Sequence, residues 1–122
     1  MKETEKNNTV LVKSKAFALL IIRMYKYLTE EKKEFVLSKQ ILRSGTSIGA
    51  NVKESVYAQS KADFFSKLYI ATKEAGETEY WLELLHESDF IDDNTFDKMN
   101  GYCSELIKLL VSITKNQRIA NP

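Results

Sequence analysis

The sequence predicts an all-α protein, an antiparallel up-down-up-down four-helix bundle. Three observations predict it. Helix breakers are scarce: the one proline is Pro122, the last residue, and there are four glycines, which favours long helices. Four segments carry apolar residues in steps of three and four, the spacing of one helix face. No stretch shows the two-residue alternation bounded by turn residues that marks a strand hairpin, and no internal repeat or low-complexity tract is present. A chain of 122 residues is one domain by length and can bury a core without disulfide staples. Short connections then make neighbouring helices antiparallel. The expected limits are a flexible tail at 1–8, the bundle at 9–118 and a flexible end at 119–122.

The first helix is expected from about Thr9 to Leu28. Between Val10 and Leu28, 14 of 19 residues are apolar or aromatic. They wrap most of the circumference, and such a helix is buried on more than one side. In a small bundle that excess points to a subunit interface. Thr29 to Glu34 reads as a charged connection. Ser38 is the candidate N-cap of the second helix, with Leu37 and Leu42 as a hydrophobic staple, and that helix extends to about Tyr57 or Ala58. Gly45 and Gly49 lie inside it at a cost of up to about 1 kcal/mol each. Two such costs four residues apart imply a close backbone neighbour.

Ser60-Lys61-Ala62-Asp63 resembles a capping box opening a third helix to about His86. Phe64, Leu68, Ala71, Ala75, Thr78, Leu82 and Leu85 form its seam, suited to shallow-angle packing. Asp92 is the candidate N-cap of the fourth helix, with Ile91 and Phe96 as staple. Its apolar stripe is Phe96, Met99, Cys103, Leu106, Leu110 and Ile113, and fraying is expected near Asn116 to Arg118.

Composition excludes several functions. The apolar and charged fractions, 43% and 29%, are ordinary for a globular protein. A net charge of +1 gives no global pull toward nucleic acid or anionic membrane. The longest apolar run, Ala16 to Ile22, is far short of the ~20 residues that span a bilayer. Met1 to Asn8 has no apolar signal core. The single Cys103 cannot form an intramolecular disulfide, so a reducing, cytoplasmic location is expected.

Metal and nucleophile chemistry find little support. His86 is the only histidine and Cys103 the only cysteine, too few for a zinc site. A di-iron bundle needs Glu-x-x-His on two helices, and Glu83–His86 supplies one. Cys103 sits on an apolar stripe as a small core residue. No serine elbow or phosphate loop is present. No catalytic residue, metal or cofactor is expected.

The notable constellation is polar. Gln40, Ser44, Ser47, Asn51 and Glu54 share one face of the second helix, with Arg43 beside them. Glu74, Glu77 and Glu79 of the third helix could meet them, and an arginine-carboxylate pair would fix register. The favoured reading is a buried network that aligns the second and third helices. The functional reading is a groove or pore lining for a ligand. Lys61, Lys67 and Lys73 on the third helix, with Lys108, Lys115 and Arg118 on the fourth, are candidate nucleic-acid contacts. Each patch is weak alone, but an oligomer would repeat it.

The run Gln40-x-x-Arg43-Ser44-Gly45-Thr46-Ser47-Ile48-Gly49-Ala50-Asn51-Val52-x-Glu54 carries a resemblance. So do Ser60-Lys61-Ala62-Asp63-Phe64 and Ala71-x-x-Glu74-Ala75-x-Glu77-Thr78-Glu79-Tyr80-Trp81-Leu82. Together they resemble the bacterial four-helix-bundle family, also called the 23S rRNA-intervening-sequence protein family, over nearly the whole chain. The resemblance implies an up-down bundle, assembly into ring-like homopentamers and no established enzymatic activity. A relative of the family is the accessory protein of diversity-generating retroelements, which binds nucleic acid and its reverse transcriptase. The expected protein is a non-enzymatic homo-oligomer that binds or scaffolds. Its candidate partners are RNA or another nucleic acid; the alternative is an adaptor for a protein partner such as a reverse transcriptase. An enzyme using the polar stripe ranks last.

Overall fold

The computed structural model describes residues 2–120, with side chains through Lys115. Its elements are α1 (Glu3–Glu30), α2 (Leu37–Ser55), α3 (Lys61–Glu87) and α4 (Asp93–Ala120). α1 packs on α2, α2 on α3, α3 on α4, and α4 returns to α1, while the diagonal pairs stay apart. This is the up-down bundle that the short connections imply.

Each helix turns one stripe inward. On α1 the buried residues are Val10, Ser14, Phe17, Ile21, Met24 and Leu28, in steps of four and three. On α3 they are Leu68, Ala71, Ala75, Thr78, Leu82 and Leu85, and α4 contributes Met99, Cys103, Leu106, Leu110 and Ile113. Burying each large side chain contributes about 1.5–3 kcal/mol. The Cys103 thiol donates to the Ala75 carbonyl at 3.3 Å. Burial, with Glu79 nearby, pushes its pKa up to about 12, so it stays a thiol.

The glycines of α2 face α1. A Cβ on Gly45 would lie 2.7 Å from Ile21 Cγ1, and one on Gly49 would lie 3.3 Å from the Ser14 carbonyl oxygen. The close neighbour implied by these residues is therefore the first helix, and not the third.

Three helix ends differ from expectation. α1 begins at Glu3, so Glu3–Asn8 is helical where a flexible tail was expected. Glu3 and Glu5 complement the dipole at the helix start, and Lys6 Nζ donates to Ser112 Oγ of α4 at 2.7 Å. A polar turn shows no hydrophobic period; α4 is long enough to hold it. α4 continues to Ala120 where fraying was expected from Asn116, and residues 121–122 lie outside the described residues.

At the start of α2 the cap is Glu34, and Ser38 lies inside the first turn. The Glu34 carboxylate accepts from the N–H groups of Val36, Leu37 and Ser38 at 3.0, 2.9 and 2.7 Å. These are donors that a helix start leaves without intrahelical partners. Burial raises the Glu34 pKa, but the backbone donors of Leu37, Ser38 and Val36 outweigh it and hold the group below its usual 4.5.

The other caps form as expected. Ser60 Oγ accepts from Asp63 N–H at 3.1 Å, while Asp63 Oδ2 reaches back to Gln59 N–H at 3.2 Å. Asp92 Oδ1 accepts from Thr95 N–H at 2.8 Å, and that bond lowers the Asp92 pKa. α3 ends with Phe90 N–H on the Leu85 carbonyl and Asp89 N–H on that of His86, a Schellman closure. It puts Asp89 at φ 66°, in the left-handed region that aspartate tolerates.

Candidate interaction surface

The polar stripe of α2 is mostly a rim, not a buried network. Ser44 is its fully buried member, and it meets Thr78, fully buried on α3. Thr78 Oγ1 lies 2.9 Å from Ser44 Oγ and 2.8 Å from the Glu74 carbonyl. One hydroxyl proton per residue serves this chain. Arg43 bonds Glu74 at 3.1 Å and also pairs with Glu77, but its side chain is 49% exposed. Its long reach lets it bridge α2 and α3 from outside. Ser47 Oγ donates to the Arg43 carbonyl and Asn51 Nδ2 to the Ser47 carbonyl, at 2.6 and 2.8 Å, so both are satisfied on their own helix. Gln40 is exposed. Glu54 is exposed beside Lys67 at 3.7 Å. Glu79 turns to α4, accepting from Ser104 Oγ at 3.2 Å. The stripe sets register at Ser44–Thr78 and at the Arg43 bridge.

The candidate lysines do not converge. Lys61, Lys67 and Lys73 are six residues apart, and each step of six turns a helix by about 240°. They therefore point to different sides of α3. Lys108 and Lys115, seven apart, share the outer side of α4, and both are exposed. The Arg118 side chain lies outside the described residues. Carboxylates dominate this half of the molecule: residues 61–115 hold eleven against six lysines and arginines.

Positive charge collects on the other half. Residues 9–53 hold nine lysines and arginines against three carboxylates, and one of those three, Glu34, is used as a helix cap. No carboxylate lies between Thr9 and Thr29. The near-neutral total conceals this division, which counting by segment would have found.

The same half carries the exposed apolar surface. On α1, Val12 is 69% and Leu19 52% exposed, and Ile22 is also exposed. Next to them a groove of about 600 Å³ runs between α1 and α2. Leu11, Val12 and Ala18 line one wall, and Thr46, Gly49 and Ala50 the other, with Lys15 and Lys53 among the lining residues. Gly49 brings the helices close, and the small side chains of Ala18 and Ala50 leave the seam hollow.

No cluster of three or more histidine, cysteine or acidic residues among the described residues could hold a metal. His86 Nε2 lies 2.7 Å from Asp93 Oδ1, and its ring stacks on Phe96 at 4.4 Å. No helix among the described residues is long and apolar enough to cross a membrane.

The chain resembles known proteins along most of its length. Residues 6–112 match the family described as 23S rRNA-intervening sequence protein. The fold is similar to the crystal structure of a protein with unknown function from the S23 ribosomal protein family of Bacteroides thetaiotaomicron VPI-5482. The TM-score is 0.89 at 56% identity, covering 90% of this chain and 98% of that one. No curated protein matches. The family match spans all four helices, and this chain belongs to the 23S rRNA-intervening sequence protein family.

Proposed function

We propose that this protein is a non-catalytic, cytoplasmic binding module that assembles with copies of itself through the α1–α2 face. The observation that carries this reading is the exposed apolar stripe Val12, Leu19 and Ile22 beside the α1–α2 groove. Exposed contiguous apolar surface marks an interaction site. The stretch from Thr9 to Thr29 is about 30 Å long, and α2 lies about 10 Å away. That outline, about 300 Å², supplies somewhat under half of the roughly 800 Å² per partner of a stable interface.

Charge favours a head-to-tail contact. A basic, apolar face is complementary to the acidic α3–α4 half of a second copy and repelled by its own duplicate. Contacts between unlike faces form rings where the rotation between copies closes and open filaments where it does not; the family resemblance implies a ring of five. Glu34 and Asp92 cap helices and Cys103 is buried, so each shift has a structural cause.

Light scattering tests this reading. The wild type is expected at several times 14.1 kDa, and the double variant Val12→Glu, Leu19→Glu as a folded monomer. A wild-type monomer at micromolar concentration, or an unchanged mass in the variant, overturns it. RNA is the second reading, supported by the surplus of cations over residues 9–53. Structured RNA should bind more tightly as salt falls, and Lys15→Glu with Lys53→Glu should weaken it. No binding at low salt would reject RNA.

A further inference from the structure

A second cavity, of about 680 Å³, opens at the end of the bundle that carries the α1–α2 and α3–α4 loops. That volume is typical of small-molecule sites. Its position follows from the fold: the α1–α4 seam is the loosest of the four, and it gapes where the α3–α4 loop crosses it. The apolar lining includes Met24 from α1, Met99 from α4, and Phe90 and Ile91 from the loop. Met24, Met99 and Ile91 are almost fully buried. Methionine pairs adapt to the shape of what lies on them.

The charges of this crevice are divided by wall. Arg23 and Lys32 belong to the α1 side, and Asp89, Asp92 and Asp93 to the loop side. Two of the acids are occupied: Asp92 caps α4, and Asp93 lies against His86. Asp89 is held by the Schellman turn, and among the described residues its carboxylate has no hydrogen bond or ion pair; nor does the Arg23 guanidinium. Lys32 Nζ stands 5.9 Å over the Tyr27 ring and has no carboxylate partner among the described residues. Opposite charges thus line one crevice without pairing across it, above an apolar floor.

We propose that this crevice binds a small zwitterion with an apolar body, an apolar amino acid or a short apolar peptide with free ends. Arg23 and Lys32 take its carboxylate, Asp89 takes its ammonium, and its side chain lies over Met24 and Met99. A molecule with both charges satisfies both walls at once. A polyphosphate would meet Arg23 and Lys32 but face three aspartates, and like charges at close range are costly.

Titration of the full chain by calorimetry and amide NMR tests the proposal. The probes are L-leucine, L-phenylalanine and L-leucyl-L-leucine. N-acetyl-L-leucine lacks the ammonium, L-leucinamide lacks the carboxylate, and AMP represents phosphate ligands. The zwitterions are expected to bind saturably, shifting resonances at Met24, Phe90 and Met99, and the stronger of leucine and the dipeptide identifies the source. Each one-charge derivative is expected to bind about tenfold more weakly, as are the variants Arg23→Gln and Asp89→Asn, since bonds to charged groups are worth about that much. Asparagine tolerates the left-handed backbone, so Asp89→Asn changes charge without breaking the turn. Arg43→Gln, at a residue that pairs with α3 and does not line the crevice, is expected to bind as wild type. Three results would overturn the proposal: no saturable shift at millimolar zwitterion, equal binding of the one-charge derivatives, or AMP binding at least as tightly as leucine.

Discussion

The four glycines are all helical, and a single substitution to alanine should have opposite effects among them. Alanine in a helix interior is favoured over glycine by about 1 kcal/mol. At Gly76 and Gly101 nothing lies within 4 Å of the added Cβ. Gly76→Ala should therefore stabilise the fold by about 0.5–1 kcal/mol. At Gly45 the Cβ would lie 2.7, 2.9 and 2.9 Å from Cγ1, Cδ1 and Cγ2 of Ile21. Ile21 is fully buried, and its Cγ atoms branch from a stiff Cβ, so it cannot swing aside. Overpacking of this kind costs about 1–3 kcal/mol. Set against the helical gain, Gly45→Ala should be destabilising by up to about 2 kcal/mol. Urea unfolding followed by helical circular dichroism measures both, at one protein concentration so that association is held constant. If Gly45→Ala is as stable as Gly76→Ala, the assignment of Gly45 to the α1 contact is wrong.

Two further substitutions test the α2 cap and the α2–α3 rim. Glu34→Gln keeps an acceptor but loses the charge, and should cost about 1–2 kcal/mol at pH 7. The folded pKa of Glu34 lies below its usual 4.5. Its contribution is therefore complete above about pH 4.5 and lost as pH falls through the folded value; the difference between wild type and Glu34→Gln should be smaller at acid pH, below that folded value, than at pH 7. An equal difference at both pH values would exclude the charged cap. Arg43→Ala should cost no more than about 1 kcal/mol, as half-exposed ion pairs do, and less at high salt. A loss of several kcal/mol in chemical denaturation would mean that Arg43 is buried in solution.

Much of the fold was legible in the sequence because it depends on local chemistry. The seams of α3 and α4 followed from apolar spacing, and the caps Ser60 and Asp92 from side chains that can reach a nearby N–H. The Glu34 cap was harder to read, because glutamate acts here from two residues before Val36 and needs the chain to turn at Lys33, whose φ is 54°. The early start of α1 was not legible. It depends on Ser112, more than a hundred residues away in sequence.

Of the interaction surface, the sequence alone determined the greasy circumference of α1 and, counted by segment, the division of charge. Periodicity places residues on one face of one helix, and composition places charge in one half of the chain. Which face meets which helix depends on how the four cylinders pack, and only the tertiary structure decided that. It assigned Gly45 and Gly49 to α1, put Arg43 at the rim, turned Glu79 to α4, and left Val12, Leu19 and Ile22 uncovered. The same helical spacing is compatible with each of these neighbours, so the choice among them rests on long-range packing.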